Sequence, residues 1–412
     1  MAVVRPFRAV RPAPDKVSQV AALPYDVMDS NEAREYVKNN PYSFMRIDRA
    51  EVNLPADADP YVQGTYETAA NLLTKQRRDG VYVKDAKPCY YVYKQVMDGR
   101  AQVGVVGCAG VDDYLSNVVK KHELTLAKKE DDRCNHVDFL DANTGPIFLT
   151  YKARPDIDDV VSRVMASQPL YDFVGGNNVQ QTCWIIDGDK DIETIQHAFA
   201  DTPALYIADG HHRCASAVRV ARKRRCQSPD YTGEEEFNFF LCVLFPDEQL
   251  KILDYNRVVM DLNGLSEAQF AEKVKEKFDI SSLSGAPHDL LKHTFGMYLG
   301  GKWSLLTAKS GTFDEKDVVA ALDVSILQQN LLTPILNIGD PRTDKRIDFV
   351  GGIRGLGELE KRVNGGAAVA FAMCPTSISE LMDIANAGRI MPPKSTWFEP
   401  KLLSGVFIHD LK

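Results

Sequence analysis

Five consecutive residues, Asp209, Gly210, His211, His212 and Arg213, include four side chains that can bind an anion or move a proton. A short apolar run precedes them and a helical pattern follows, which predicts a strand, a tight turn and the first turn of a helix. The first turn of a helix presents unpaired N–H groups and a partial positive charge, so it favours a phosphate or a carboxylate. The sequence therefore predicts an anion site at this junction.

The residue types suggest a division of roles within the junction. Gly210 allows a close approach of the backbone, and Arg213 with the helix N-terminus would hold the anion. His211 or His212 would donate to the same anion or shuttle a proton, and Asp209 could hold a metal ion or orient a hydroxyl group. The alternative is a structural turn in which Asp209 caps the helix and the histidines are surface groups. Two histidines, an arginine and an aspartate within five residues favour the functional interpretation.

A second candidate lies in residues 118–133, which are dense in ionisable groups. Glu123 beside His122 could act as a general base, and Arg133 could pair with it or with a phosphate. The alternative is an exposed helix with several salt bridges, because a run of charged residues most often forms such a helix. The sequence leaves these two interpretations open.

Two further segments carry suitable side chains. In residues 388–401, prolines favour a rigid chain in which Lys394 and Thr396 could position an anionic group and Trp397 could stack on a ring. A C-terminal tail whose aromatic residues pack on the core is the alternative. Tyr25 and Asp26 precede a helical pattern and could line a pocket, although a structural role is favoured there.

The elements around these segments indicate an α+β protein with mixed sheets. Residues 89–108 predict a β-hairpin around an Asp-Gly turn, and residues 318–337 predict a mostly helical segment. Because hairpins alternate with strand–helix units, no single parallel or antiparallel architecture accounts for the whole order. The loop at 227–234 predicts a boundary between one domain at 1–230 and a second at 235–412.

Composition excludes several classes of protein. The chain has 412 residues and a formal net charge of −8, which argues against a general nucleic-acid binder, so the basic cluster at 219–225 is expected on a solvated helix face. No apolar run has the roughly 20 residues of a membrane span, and no signal peptide is evident. The scattered cysteines, without a C-x-x-C pair, fit a reducing cytoplasm. The glycine runs match neither a Rossmann nor a P-loop fingerprint.

Taken together, several motifs resemble the hallmarks of a widespread prokaryotic family known as a domain of unknown function, with an Ala-Asp-Gly-His-His-Arg motif. The resemblance covers nearly the whole chain. The matching stretches are Pro24-Tyr25-Asp26-Val27, Lys121-His122-Glu123 with Thr125 and Asp132-Arg133, Tyr206 to Arg213, and Met391 to Lys401.

The junction is also distantly similar to the ParB and sulfiredoxin superfamily, whose Gly-x-x-Arg signature at a helix start binds nucleotide phosphates. His211 stands where a sulfiredoxin has its reactive cysteine, so thiol chemistry is not expected. Among the members of this superfamily, the free-serine kinases have a corresponding motif that is similar to this one, so they are the closest functional match. The similarity implies a ParB/sulfiredoxin-like phosphate-binding domain with hairpin insertions at 1–230, followed by a second α+β domain at 235–412.

This resemblance implies a small-molecule kinase that transfers a phosphoryl group from ATP or ADP, with Mg²⁺, to a free hydroxyl amino acid such as L-serine. The alternatives are a nucleotide-binding switch or hydrolase without an amino-acid acceptor, and a non-enzymatic scaffold. A small-molecule partner, no nucleic acid, no membrane and possibly a homodimer are expected. The implied catalytic residues are Glu123 as base, Asp209, His211 and His212, with Asp209 also as metal ligand. The implied nucleotide-binding residues are Gly210, His212, Arg213, Arg133, Lys394, Thr396 and Trp397.

Overall fold

The computed structural model describes residues 1–228 and 230–412. In chain order its strands are β1 Val4–Arg5, β2 Val10–Pro12, β3 Tyr82–Lys84, β4 Tyr90–Met97, β5 Arg100–Gly110, β6 Val119–Lys120, β7 Ala142–Asn143, β8 Ile147–Tyr151, β9 Tyr171–Val174, β10 Gln180–Ile186, β11 Leu205–Asp209, β12 Phe239–Pro246, β13 Ile252–Leu253, β14 Tyr255–Val259, β15 Phe278–Ser282, β16 Thr294–Leu299, β17 Lys302–Ala308, β18 Ile347–Gly351, β19 Val369–Met373, β20 Trp397–Phe398 and β21 His409–Asp410.

The helices vary from single turns to the long helix that follows β11. In chain order they are α1 Val17–Val20, α2 Ser30–Val37, α3 Met45–Asp48, α4 Gln63–Arg78, α5 Val111–Leu115, α6 Ala127–Leu140, α7 Pro155–Met165, α8 Asp189–Ala200, α9 His211–Gln227, α10 Glu267–Val274, α11 Asp323–Leu327, α12 Gly357–Asn364 and α13 Ile378–Asn386. Short 3₁₀ turns supplement them, among them Ala50–Asn53.

The chain forms two compact units. The first comprises Met1–Leu250 with Pro400–Lys412, and the second comprises Lys251–Glu399. The described residues of the 227–234 segment, where the sequence predicted a domain boundary, therefore lie within the first unit, and residue 229 lies outside the described residues. The final segment, which the sequence placed in the second domain, also belongs to the first. The 400–412 segment joins the first unit because its backbone pairs with β7 and with Val10 and Ala22, and such pairing with distant residues leaves no local sequence pattern.

A nine-stranded mixed sheet organises the first unit. Eight of its strands follow the order β6-β11-β8-β12-β5-β4-β10-β9, and β1 pairs with β5. The pairs β11–β6 and β12–β8 are parallel and the other pairs are antiparallel, so the predicted α+β class with mixed sheets is confirmed. β11 lies between β6 and β8, so the segment that leads into the predicted anion site is held on both sides.

Helix α9 packs one face on this sheet. The predicted apolar stripe of Cys214, Ala217, Val218 and Ala221 is buried in the core of the unit. The other face of α9 carries the basic cluster. This cluster pairs with acidic residues in α6 and at the C-terminal end of α6. Arg219, Lys223 and Arg224 lie 2.7, 2.6 and 2.5 Å from the carboxylates of Asp131, Asp138 and Asp141, respectively. The positive charge of the cluster is therefore largely matched within the protein.

The predicted hairpin at 89–108 is present as β4 and β5. Its turn residues Asp98 and Gly99 both have positive φ, at 51° and 77°. Such a turn matches the right-handed twist of the two strands. The hairpin supplies two central strands of the sheet.

The C-terminal segment completes the first unit. Ile408 pairs with Val10, and β21 pairs with β7. The ring of Phe407 lies 4.7 Å from that of Tyr91, and both side chains are fully buried. These contacts bring the residues just after 400 onto the same unit as β11 and α9.

The second unit is built on a six-stranded antiparallel sheet in the order β15-β17-β16-β19-β14-β18. The helix expected over 318–337 is shorter than predicted: α11 begins at Asp323 and runs into a π-turn at Gln328–Leu332. The carboxylate of Asp317 accepts hydrogen bonds from the amides of Val319 and Ala320, which turns the chain before the helix begins. Among the described residues, none of the helices has the length and apolar character needed to cross a membrane.

Candidate functional site

The junction between β11 and α9 has the geometry that its sequence predicts. β11 ends at Asp209, Gly210 has φ +96°, and α9 begins at His211. A Cβ atom at Gly210 would lie 3.1 Å from Nη2 of Arg213, so this position needs glycine for both its backbone conformation and the space. The guanidinium of Arg213 therefore lies directly over the backbone of the turn.

Two cations approach the carboxylate of Asp209. Nη2 of Arg213 lies 3.4 Å from Oδ2, and Nζ of Lys401 lies 3.7 Å from the same oxygen. Arg213 also donates through Nη1 to the carbonyl of Pro146 at 2.6 Å, which fixes the direction of the guanidinium. Burial opposes ionisation of Asp209, but Lys401 and Arg213 hold the pKa of that carboxyl below its usual value. The carboxylate is thus charged, and it gathers two cations at the N-terminal end of α9.

His211 is buried beside Glu123. Its Nδ1 lies 3.6 Å from Oε2 of Glu123, and its Nε2 faces the amide of His122 at 3.5 Å. The two imidazole rings of His122 and His211 meet edge to face, with centroids 4.5 Å apart. Burial lowers the pKa of His211 to about 4, against the attraction of Asp209. The neutral ring can therefore direct one N–H toward Glu123.

His212 anchors the loop that carries Glu123. Its Nε2 accepts a hydrogen bond from the amide of Leu126 at 3.0 Å, in the turn before α6. Burial, reinforced by the nearby ammonium group of Lys129, lowers the pKa of His212. An imidazole that accepts through Nε2 is neutral. His212 thus connects the first turn of α9 to the 121–126 loop.

The charged segment at 118–133 contains strand β6, a loop and the first half of helix α6. Residues 121–126 form a loop and α6 starts at Ala127, so Glu123 lies outside the helix. The Glu123 side chain is 46% exposed, which leaves its carboxylate accessible to a ligand. Arg133 lies in α6 and is buried, with Nη2 2.8 Å from Asp132 and its guanidinium 4.0 Å from the ring centre of Tyr25.

A cavity of 210 Å³ adjoins Arg133. Its walls come from the 24–26 loop, α3, the turn at 50–53, α4 and α6. Its lining residues are Tyr25, Asp26, Asp48, Arg49, Ala50, Glu51, Pro60, Tyr61, Thr65, Tyr66, Ala69, Lys129, Asp132, Arg133 and His136. A smaller cavity of 30 Å³ shares Tyr25, Asp48, Arg133 and His136 with it and is also lined by Arg213. Arg133 and Arg213 are therefore parts of one polar region.

Three residues that the sequence assigned to nucleotide binding lie in the second unit. Trp397 is in β20, and its ring packs edge to face on Tyr255 with centroids 5.0 Å apart. The ammonium group of Lys394 lies 5.4 Å from the ring centre of Tyr255. Thr396 lies between them in the chain. A common pocket for these residues and the 209–213 junction stays a prediction.

Sequence reasoning missed several residues of this region. Lys401 lies in a segment that was singled out for its lysines and hydroxyls, yet its pairing with Asp209 requires the return of the C-terminal segment to the first unit. Asp48 and His136 form a buried pair with Oδ1 and Nε2 3.3 Å apart, and no motif surrounds either residue. For Asp48 and His136, the sequence held no signal beyond residue type.

Asp209 is the only metal ligand proposed from the sequence. In the ranges 1–228 and 230–412, no group of three or more His, Cys, Asp or Glu side chains has an arrangement that could hold a metal ion. Mg²⁺ is commonly held by one or two carboxylates together with substrate phosphates, so a single aspartate fits that role only with a phosphate present. A phosphate that attracted Arg213 and Lys401 would also release the Asp209 carboxylate for the cation.

Comparison with solved structures finds several chains with distant similarity to this one. A free serine kinase mutant in complex with AMP is 14% identical, with a TM-score of 0.39, covering 75% of this chain and 92% of that chain. A conserved hypothetical protein from Pyrococcus furiosus is 15% identical, with a TM-score of 0.33 and coverage of 73% and 94%. SbnI with a C-terminal truncation from Staphylococcus aureus is 12% identical, with a TM-score of 0.36 and coverage of 72% and 85%. Similarity at this level assigns no role to individual residues.

Comparison with curated proteins finds no match for this chain. The family model described as a protein of unknown function, DUF1015, matches residues 4–325. That range contains three of the four stretches on which the family resemblance was based, those with Tyr25, Glu123 and Asp209–Arg213, while Met391 to Lys401 lies beyond it. The chain belongs to the DUF1015 family.

Proposed function

We propose that this protein is a small-molecule kinase that transfers a phosphoryl group from ATP or ADP to the hydroxyl of a free amino acid. The proposed acceptor is L-serine. The observation that carries this proposal is the convergence of Arg213 and Lys401 on Asp209 at the start of α9, with the accessible carboxylate of Glu123 beside His211. Phosphoryl transfer needs charge neutralisation and positioning more than covalent assistance, and this arrangement supplies both.

Phosphate binding would use the cations that now face Asp209. The amides in the first turn of α9 have no acceptor within the helix, and the helix dipole adds partial positive charge there. Arg213 offers a planar guanidinium for two phosphate oxygens, and Lys401 offers a point charge. Mg²⁺ bound to Asp209 and the phosphates would add further positive charge when nucleotide is present.

Glu123 has the properties of the base in this reaction. As the acceptor hydroxyl oxygen bonds to the transferred phosphorus, the bond from phosphorus to the bridging oxygen of the nucleotide breaks. The hydroxyl proton passes to the Glu123 carboxylate, and the nucleotide leaves with one phosphate fewer. The buried, neutral His211 positions that carboxylate through its Nδ1, 3.6 Å away.

The direct test is to incubate the purified protein with L-serine, Mg²⁺ and either ATP or ADP, and to detect phosphoserine by ³¹P NMR. We expect phosphoserine from the wild type and a loss of about 100-fold or more in kcat for Glu123→Gln, since general-base catalysis typically contributes about 100- to 10,000-fold. Glu193→Gln, an exposed substitution of the same type in α8, is the control and should retain full activity. Absence of phosphoserine with either nucleotide would refute the proposal.

A nucleotide-binding switch or hydrolase is the second candidate. It is favoured by the 46% exposure of Glu123, because a solvent-accessible base can activate water as readily as an acceptor hydroxyl. In that case nucleotide would raise the thermal unfolding temperature and free phosphate would appear without phosphoserine. Arg213→Ala separates both candidates from a scaffold, since only a nucleotide-binding protein would lose the nucleotide-dependent stabilisation.

A further inference from the structure

The 210 Å³ cavity beside Arg133 carries charges of both signs in its walls. Its carboxylates are Asp26, Asp48, Glu51 and Asp132, and its cations are Arg49, Lys129 and Arg133. A cavity with this lining does not suit an apolar ligand, because such a ligand would remove water from these charges without replacing its hydrogen bonds. The ligand should itself be polar.

Most of these charges already have partners. Arg133 pairs with Asp132 at 2.8 Å, and the hydroxyl of Tyr66 donates to the same carboxylate at 2.9 Å. Arg49 pairs with Glu51 at 3.1 Å. Because these charged groups are paired with one another, they are less available to bind a ligand and mainly shape the cavity.

Asp26 and Lys129 differ from the others. Both side chains are exposed, and neither forms an ion pair with any residue that the structure describes. Both also lie close enough to His212 to affect its pKa, which Lys129 lowers and Asp26 raises. One negative and one positive group are therefore available where the cavity approaches the first turn of α9.

We infer that this cavity binds a small zwitterionic molecule, an α-amino acid, with its ammonium group on Asp26 and its carboxylate on Lys129. The inference rests on the proposed function, for which it supplies the acceptor site. A volume of 210 Å³ is many times the roughly 10–15 Å³ that one water needs, so the cavity has room for an amino acid of the size of serine. Tyr25 and Arg133 line both this cavity and the smaller one that Arg213 lines, so a ligand bound here would lie near the proposed phosphate site.

A nucleobase is the main alternative occupant, since Tyr25 and Tyr61 line the cavity and could stack on it. A neutral base would leave the charges of Asp26 and Lys129 without partners. The available pair of opposite charges therefore favours the amino acid.

Isothermal titration calorimetry of the full-length protein tests this inference without any turnover. L-Serine should bind at least about tenfold more tightly than ethanolamine, which lacks the carboxylate, and than glycerate, which lacks the ammonium group, because a hydrogen bond to a charged group commonly contributes a tenfold factor or more. L-Alanine and L-threonine serve as further zwitterionic probes. Failure of all three amino acids to bind, or equal binding of serine and its two analogues, would overturn the inference.

Variants locate the binding. Asp26→Asn and Lys129→Gln should each weaken L-serine binding by about tenfold, through the loss of one charged contact. Asp159→Asn in α7 and Lys190→Gln in α8, which are also exposed, are matched controls and should bind normally. Unchanged binding in the first two variants, or competition between AMP and L-serine, would assign the cavity to another ligand.

These results are separable from the test of the kinase activity. Charge-dependent binding of serine without phosphoserine formation would support the amino-acid site and refute the kinase. Phosphoserine formation with an unchanged KM for serine in Asp26→Asn and Lys129→Gln would support the kinase and refute this site. An increase in the KM for serine at an unchanged KM for nucleotide would support both.

Discussion

At the scale of single residues, protonation separates the two kinds of group in the site. Lys401 and Arg213 keep the Asp209 carboxylate charged. Burial lowers the pKa of His211 to about 4, so this histidine is neutral at neutral pH. The histidines in the motif therefore contribute positioning and hydrogen bonding at neutral pH, and the positive charge comes from the arginine and the lysine. A phosphate bound at this turn would therefore have Arg213 and Lys401 as its cationic contacts.

This difference in protonation predicts a pH dependence of stability. The pKa of His211 is about 4 in the folded protein and about 6.5 when unfolded, so between these values the unfolded chain binds the additional proton. Stability is therefore fully present above pH 6.5 and falls as the pH decreases toward 4, by up to about 3 kcal/mol from this residue. His211→Gln should reduce the loss of urea stability between pH 7 and pH 5.

His197→Gln, on the exposed face of α8, is the matched control and should keep the wild-type pH dependence. His122, His136 and His212 also have lowered pKa values because they are buried, so the variant retains part of the acid sensitivity. An identical pH dependence in His211→Gln and in the wild type would contradict a buried, neutral His211.

At the scale of elements, the β11–α9 turn determines where the proposed anion site would form. β11 is held between β6 and β8, and the apolar face of α9 is buried against the same sheet. Gly210 joins the two with a left-handed backbone conformation and leaves room for the guanidinium of Arg213. The position of the arginine therefore depends on the turn as much as on the helix.

Gly210→Ala should consequently affect both stability and phosphate binding. The alanine would adopt φ near +96°, which costs roughly 1–2 kcal/mol, and its Cβ would press on Arg213. We expect that loss in urea unfolding and a weaker response of the unfolding temperature to added nucleotide. Gly188→Ala is the matched control, because Gly188 precedes α8 with φ −74° and ample space. Equal stability of the two variants would contradict this account of the turn.

At the scale of the whole molecule, the first unit depends on residues from both ends of the chain. The C-terminal segment adds Phe407 and Ile408 to its buried core, pairs β21 with β7, and brings Lys401 to Asp209. The same segment thus contributes to folding and to the candidate site. The second unit separates it from the rest of the first in sequence.

Deletion of Pro400–Lys412 should therefore destabilise the first unit strongly. Full burial of a large apolar side chain contributes about 1.5–3 kcal/mol, so loss of Leu403, Phe407 and Ile408 should cost about 5 kcal/mol or more. Thermal unfolding measures this loss. Deletion of Lys412 alone is the control, since its exposed ion pair with Asp141 should contribute little. A truncated chain as stable as the wild type would refute the dependence.

Much of the local structure was predictable from the sequence, since strand alternation, helical periodicity and turn residues are properties of neighbouring residues. The hairpin of β4 and β5, the apolar face of α9 and the Asp209–Arg213 turn all follow from such patterns. The helix expected over 318–337 was overestimated, because the Asp317 carboxylate accepts hydrogen bonds from the amides of Val319 and Ala320 and the helix begins only at Asp323. The first unit extends to Leu250 and also includes Pro400–Lys412, and the return of that last segment leaves no local signal in the sequence.

The sequence by itself determined the family, the α+β class and the turn that holds Arg213 at the start of a helix. Only the tertiary structure decided that Lys401 reaches Asp209, that His211 is neutral and faces Glu123, and that Asp26 and Lys129 line one cavity. The physical reason is that turns and helix starts depend on adjacent residues, whereas charge pairing, burial and cavity walls depend on segments brought together by folding. The chemistry of this site depends on those long-range contacts.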